Sequence, residues 1–304
     1  MTIEYRARAS WTEHSERGNP LLLRLLIWLT LKTGRRVGRI ALYPICGYFF
    51  FMAPGARHAS KQYLARVFAK PPKIRDVFRH FHCFAATLLD RIYFLNGNTD
   101  AFDIRLFGQD AVRSALEEGR GAVLLGSHLG SFEILRAVGL QAGISDIHMV
   151  MYRGVAPKIA AAMDRLRTHP LSIIELDRPG AMLRVKEALE RGAIVGLLGD
   201  RILTNDRGTQ CEFFGSATAF PQGPLHLAAI LGAPVILAFG LYRGGNRYDV
   251  HFERFDVAVG GPAAHPFTPD AIGRYAQRLE YYCRLAPFNW FNFYDYWQTD
   301  AATK

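Results

Sequence analysis

Gly121-Ala122-Val123-Leu124-Leu125-Gly126-Ser127-His128-Leu129-Gly130-Ser131-Phe132-Glu133 changes character halfway along. The run from Ala122 to Leu125 is apolar without a break and short, which predicts a strand buried on both faces. From Ser131 onward the residues predict a helix. A histidine therefore falls in a strand-to-helix turn and a carboxylate in the helix's first turn. An imidazole beside a carboxylate has its tautomer fixed and its protonated form favoured, as a general base acting on a hydroxyl needs. His128 and Glu133 are accordingly the candidate catalytic pair. Gly126, Ser127, Gly130 and Ser131 are small enough for a substrate to approach the backbone, and Ser131 is a candidate substrate contact. The competing reading is a satisfied loop histidine and a first-turn acid favoured by the helix dipole.

The pattern of this stretch repeats down the chain. Helices are predicted at Ala111–Glu118, Phe132–Ala142, Pro157–Thr168, Pro179–Arg191, Pro224–Leu231 and Ala271–Arg284. Between them the expected strands are Ala122–Leu125, Ile147–Tyr152, Ser172–Leu176, Ala193–Leu198, Val235–Leu241 and Tyr248–Phe252. Alternation of this kind predicts an α/β fold with a mostly parallel central sheet flanked by helices. His128, Arg153 and Asp200 each follow an expected strand, and the carboxyl ends of parallel strands are where such sheets bind ligands. Arg153 is suited to gripping a phosphate through two parallel hydrogen bonds. Asp200 and Arg201 are expected to line the site, and a structural ion pair closing the strand end is their alternative.

Four stretches in order resemble the glycerolipid and lipid A acyltransferase superfamily, most closely its lipid A late acyltransferase branch. They are His128-x4-Glu133; Met149-Val150-Met151-Tyr152-Arg153; Leu197-Leu198-Gly199-Asp200-Arg201; and the Phe213-Phe214-Gly215 segment running to Pro221-Gln222-Gly223-Pro224. Gln222 departs from the glutamate often found there in glycerolipid-type relatives. The resemblance implies transfer of a fatty acyl group from a thioester donor to a hydroxyl of a glycolipid or lipid A-like acceptor. His128 would be the base and Glu133 its support, with no metal and no cofactor. The acceptor alternatives are a lysophospholipid, an ornithine lipid or a polyene lipid, and a non-catalytic lipid-binding relative is the alternative of another class. No Gly-x-Ser-x-Gly elbow occurs, which argues against a serine hydrolase.

Of the 304 residues 50% are hydrophobic and 21% charged, with a formal net charge of +10. The positive excess is concentrated toward the start, at Arg35, Arg36, Arg39, Arg57, Lys61 and Arg66. Basic charge beside apolar runs fits an anionic membrane surface or an acidic partner, for which acyl carrier protein suits better than acyl-coenzyme A. No nucleic-acid-binding pattern is present, so no nucleic acid partner is expected. The four cysteines are widely spaced and read as reduced thiols.

Residues 1–100 are read as a helical, membrane-associating segment and 101–304 as the acyltransferase domain. Leu21–Leu31 and Ile40–Ala53 are apolar, but neither reaches the roughly 20 residues of a spanning helix. The expectation is a peripheral protein, or one with a short N-terminal anchor, on the cytoplasmic face of a bacterial inner membrane. The aromatic run Pro287–Trp297 is read as a tail docked on the core.

Overall fold

The computed structural model describes residues 32–151, 172–202, 208–257 and 269–297. Three helices lead: α1 (Arg35–Met52), α2 (Pro54–Phe68) and α3 (Ile74–Leu95). Then follow β1 (Asp103–Phe107), α4 (Gln109–Glu117), β2 (Ala122–Gly126), α5 (Glu133–Gln141), β3 (Ile147–Met151) and β4 (Ser172–Glu175). The chain continues through α6 (Ala181–Glu190), β5 (Ile194–Leu198), β6 (Gly208–Phe213) and β7 (Ser216–Pro221). It ends in α7 (Gly223–Leu231), β8 (Val235–Gly244), β9 (Arg247–Phe255) and α8 (Pro269–Leu285).

Seven strands form one sheet in the order β1-β9-β8-β2-β5-β3-β4. Only the β8–β9 pairing is antiparallel, so the mixed α/β, mostly parallel architecture expected from the alternation is what the chain adopts. All five residues of β2 are buried, because helices cover both faces of the sheet. Alternate residues of β2 enter different cores. Val123 and Leu125 pack with α6 and α8 through Val185, Tyr275 and Leu279, while Leu124 packs with α3 and α5 through Leu89, Ile92 and Ile134. Strand β1 (Asp103-Ile104-Arg105-Leu106) and the β6–β7 hairpin alternate over only a few residues each and were not among the expected strands. The hairpin closes on Phe214 and Gly215, both with positive φ, the conformation a two-residue turn requires.

Helix α1 has two faces. Gly38, Leu42, Cys46 and Phe50, spaced four apart, are buried, whereas Val37, Ile40, Tyr43, Tyr48, Phe51 and Met52 are exposed. Pro54 bars its predecessor Ala53 from helical geometry, so the chain bends by 97° into α2. No single described helix is long and apolar enough to cross a membrane. The consecutive aromatics Phe49, Phe50 and Phe51 therefore do different work. Phe50 is core, edge-on to Phe78 and Phe81, and only Phe51 is largely exposed. The expected piece Leu21–Leu31 and the expected helix Pro157–Thr168 lie outside the described residues.

Candidate active site

Strands β2 and β5 are parallel neighbours in a register that pairs Gly126 with Leu198. Two residues beyond those partners stand His128 and Asp200, so the pairing brings them side by side. His128 Nδ1 lies 2.9 Å from Asp200 Oδ1, and the His128 backbone N–H donates to both carboxylate oxygens at 3.0 and 3.1 Å. Trp290 Nε1 donates to Asp200 Oδ2 at 3.0 Å and Asn292 Nδ2 at 2.9 Å. Asp200 is fully buried. Burial alone would raise its carboxyl, but the His128 imidazole, the Arg201 guanidinium and the Asn292 amide outweigh that and hold it at about 2. A carboxylate only accepts, so Nδ1 of His128 carries the proton and Nε2 presents a lone pair. Among the described residues nothing else bonds that ring, and 27% of the His128 side chain is exposed. Burial, and then the charge of Arg201, lower the imidazole below its usual 6.5 against the pull of Asp200. His128 is therefore neutral at pH 7.

The carboxylate expected beside His128 was Glu133, and here the structure departs from the expectation. Glu133 opens α5 and its Oε1 lies 2.7 Å from Arg91 Nε on α3, while Asp200 occupies the imidazole's Nδ1. As the first residue of α5, Glu133 meets Arg91 of α3, and strand adjacency brings residue 200 in from a point 72 residues away. Ser131 is buried, with its N–H on Gly240 O at 2.8 Å and its hydroxyl lacking a hydrogen-bond partner among the described residues. The small residues of the turn serve chain packing more than substrate access. A Cβ at Gly130, where φ is +74°, would run into the Gly240 carbonyl, and Gly126 faces the ring of Phe132. Arg201 bonds Asn292 Oδ1 at 2.7 Å and the Phe291 carbonyl at 3.1 Å, which turns it toward the C-terminal stretch. Arg153 lies outside the described residues.

The aromatic stretch expected to be a docked tail is part of the site. Besides the bonds to Asp200 from Trp290 and Asn292, Phe291 N–H donates to His128 O at 2.7 Å and Asn289 O accepts from Gly130 N–H at 2.8 Å. Tyr296 Oη donates to the Asp200 carbonyl at 2.8 Å. Trp290 is fully buried against Tyr63, Phe213 and Tyr296. Asn289 and Asn292 were the available signal. Two amides inside an otherwise aromatic run have to find partners once buried.

A family model for bacterial lipid A biosynthesis acyltransferases matches residues 22–299. The chain belongs to that family. This acyltransferase is also 26% identical, over 271 residues, to a phosphatidylinositol mannoside acyltransferase of Mycolicibacterium smegmatis (strain ATCC 700084 / mc(2)155). The alignment covers 82% of this chain and 84% of that relative.

Beside the turn, the acyltransferase holds an apolar cavity of about 350 Å³ between the sheet and helices α4 and α5. Leu124, Phe132, Leu135, Val138, Ile147 and Ile194 line it. Phe132 sits four residues after His128, so the cavity wall and the base belong to one turn. Gly196 opens space for the Phe132 ring, since a Cβ there would press on its Cζ at 2.7 Å.

Proposed function

We propose that the enzyme transfers a fatty acyl chain from a thioester to a hydroxyl of a glycolipid acceptor, with His128 as general base and Asp200 as its partner. The observation that carries this is the His128 Nδ1–Asp200 bond, which leaves Nε2 deprotonated and partly open. Nε2 takes the acceptor's O–H proton while the oxygen attacks the thioester carbonyl carbon. The tetrahedral adduct collapses with cleavage of the C–S bond, and the departing sulfur takes the proton back from Nε2. Asp200, held at about 2, stays ionised and stabilises the transient imidazolium. Glu133 acts through position: its pair with Arg91 ties the start of α5 to α3. The apolar cavity suits the acyl chain, each buried methylene contributing about 0.8 kcal/mol.

The net charge of +10 favours an acidic donor, and acyl carrier protein fits that better than coenzyme A. Arg153, which lies outside the described residues, remains one proposed contact for an acceptor phosphate. Attachment to the cytoplasmic face of an inner membrane is assigned to the exposed face of α1, whose Ile40 and Phe51 are 70% and 69% exposed. The glycolipid reading draws on the relative's name, which specifies a mannoside of phosphatidylinositol.

Transfer assays with an acyl-thioester and extracted membrane lipids test the base assignment. His128→Ala is expected to lower kcat/KM by 10²–10⁴-fold, the usual contribution of a general base. Asp200→Asn is expected to lose a comparable factor, because it removes the charge that supports imidazolium. The wild-type acid limb should fall below pH 6.5, since a lowered imidazole stays neutral further into acid. A folded His128→Ala protein with full activity would reject the mechanism.

A further inference from the structure

A second cavity, of about 520 Å³, lies between α1, α3 and the turn that joins β8 to β9. Its lining includes Arg39, Arg79, Arg105, Arg243 and Arg247, against one carboxylate, Asp249. The fold collects these charges for a topological reason. Strand β9 runs antiparallel to β8, so Arg243 at the end of β8 meets Arg247 at the start of β9, and β1 adds Arg105 from the next position.

Internal partners account for only part of this charge. Arg39 bonds the Tyr242 hydroxyl and lies 3.6 Å from Asp90, and Arg243 lies 3.1 Å from Asp249 and donates to the Leu285 carbonyl at 2.7 Å. Arg105 is 3.8 Å from Asp103, with both side chains largely exposed, a geometry that contributes little. Arg79 meets only the ring face of Phe288, and Arg247 has no ion-pair partner among the described residues. His82 also lines the cavity, and among the described residues its buried Nε2 has no hydrogen-bond partner. Cationic forks and an unpaired imidazole nitrogen around one concave space match a phosphate, which takes several charge-assisted hydrogen bonds at once.

The cavity lies at the same end of the sheet as His128, the end toward which parallel strands β2 and β8 both run. Gly130, two residues after the base, bridges Gly240 of β8, and Tyr242–Gly244 of the cavity wall lie further along that strand, roughly 7–13 Å on at about 3.3 Å per residue. Asn289, whose carbonyl holds Gly130 and whose side chain bonds Tyr242, separates the two spaces. Helix α1 contributes Arg39 to the lining and, at the next position, exposed Ile40. A lipid whose apolar part meets that face would bring its headgroup to these arginines.

We propose that this arginine cavity binds a phosphate ester on the headgroup of the acceptor lipid, while the hydroxyl to be acylated reaches His128. The identity of the phosphate's carrier rests on the acyltransferase reading above; the anion site itself does not. Isothermal titration of the detergent-solubilised full chain with sn-glycerol 3-phosphate and with coenzyme A separates the two. Arg79→Gln/Arg247→Gln leaves the Asp90 and Asp249 pairs in place and is expected to weaken glycerol phosphate binding at least tenfold, with thermal unfolding unchanged. The same variant should leave coenzyme A affinity within about twofold, and His128→Ala should bind glycerol phosphate like the wild type even though it transfers nothing. In steady state, KM for a phosphorylated lipid acceptor should rise about tenfold with kcat nearly constant, as for contacts made equally in ground and transition states. Equal glycerol phosphate affinity in wild type and variant overturns the site. A loss confined to coenzyme A overturns its assignment to the acceptor and gives the cavity to the donor.

Discussion

A carboxylate bonded to the Nδ1 of a catalytic imidazole acts on chemistry, whereas one paired with an arginine acts on position. In the proposed mechanism Asp200 is of the first kind and Glu133 of the second. A double-mutant cycle separates them. Arg91→Met and Glu133→Gln should each lower activity, and the double variant should lose little more than the worse single, giving a coupling of about 0.5–3 kcal/mol. Additive losses would mean that Glu133 works independently of Arg91. His128 was legible in the sequence because an apolar strand followed by small residues announces a turn. Asp200 could be recognised as site-lining, but not as the partner of His128. That relation depends on β5 lying next to β2, with β3 outside it, and no local pattern encodes strand order. The partner of Trp290 and Asn292 was hidden for the same reason, although a buried amide in an aromatic run signals that it must have one.

Among the elements, α1 shows how much an apolar run conceals. Its composition suggested a surface for lipid; its packing sends Leu42, Cys46 and Phe50 inward and Ile40, Tyr48 and Phe51 outward. Period and neighbours decide which residue does which, and the neighbours belong to α3. Polar substitutions should then divide by face. Ile40→Ser/Phe51→Ser is expected to release most of the protein from anionic vesicles in a flotation assay, with the unfolding midpoint preserved. Phe50→Ser should destabilise the fold by about 3–5 kcal/mol, as loss of a large buried ring does. If Ile40→Ser/Phe51→Ser floats like the wild type, α1 is not the attachment surface. The expected strands and helices of the alternating region that fall on described residues lie within a few residues of where the sequence put them. The hairpin β6–β7 was not legible, because its alternation is short and carried largely by the small residues Cys211, Ala217 and Ala219, and the turn pair Phe214-Gly215 lacks the usual Asn or Asp.

For the molecule as a whole, His80 links regions distant in the chain. It is fully buried on α3, with its ring nitrogens on Ser60 Oγ of α2 and the Trp290 carbonyl, both at 2.8 Å. Burial lowers it to about 4, and the Trp290 bond only partly opposes this. Its folded value is below its unfolded 6.5, so the unfolded chain binds the proton first. The stabilisation is complete above pH 6.5 and is lost as pH falls toward 4, by on the order of 3 kcal/mol. His128 adds to the loss in the same direction below 6.5, and Asp200 extends it between 3.8 and 2. Urea midpoints measured from pH 7 to 4.5 should fall steadily, and His80→Gln should flatten that slope. A pH-independent midpoint in the wild type would contradict the assignment.

Asp200 takes two of its hydrogen bonds from Trp290 and Asn292, and His128 has its carbonyl held by Phe291. During synthesis on the ribosome, His128 and Asp200 are made before the residues that hold them. Strands β1 to β9 all precede that stretch in the chain, so the strands that carry the pair are made before the residues that bond it. A chain ending before residue 290 would lack the indole, the amide and the backbone N–H that hold this turn, so in the proposed mechanism the last stretch to be made is the one that completes the base.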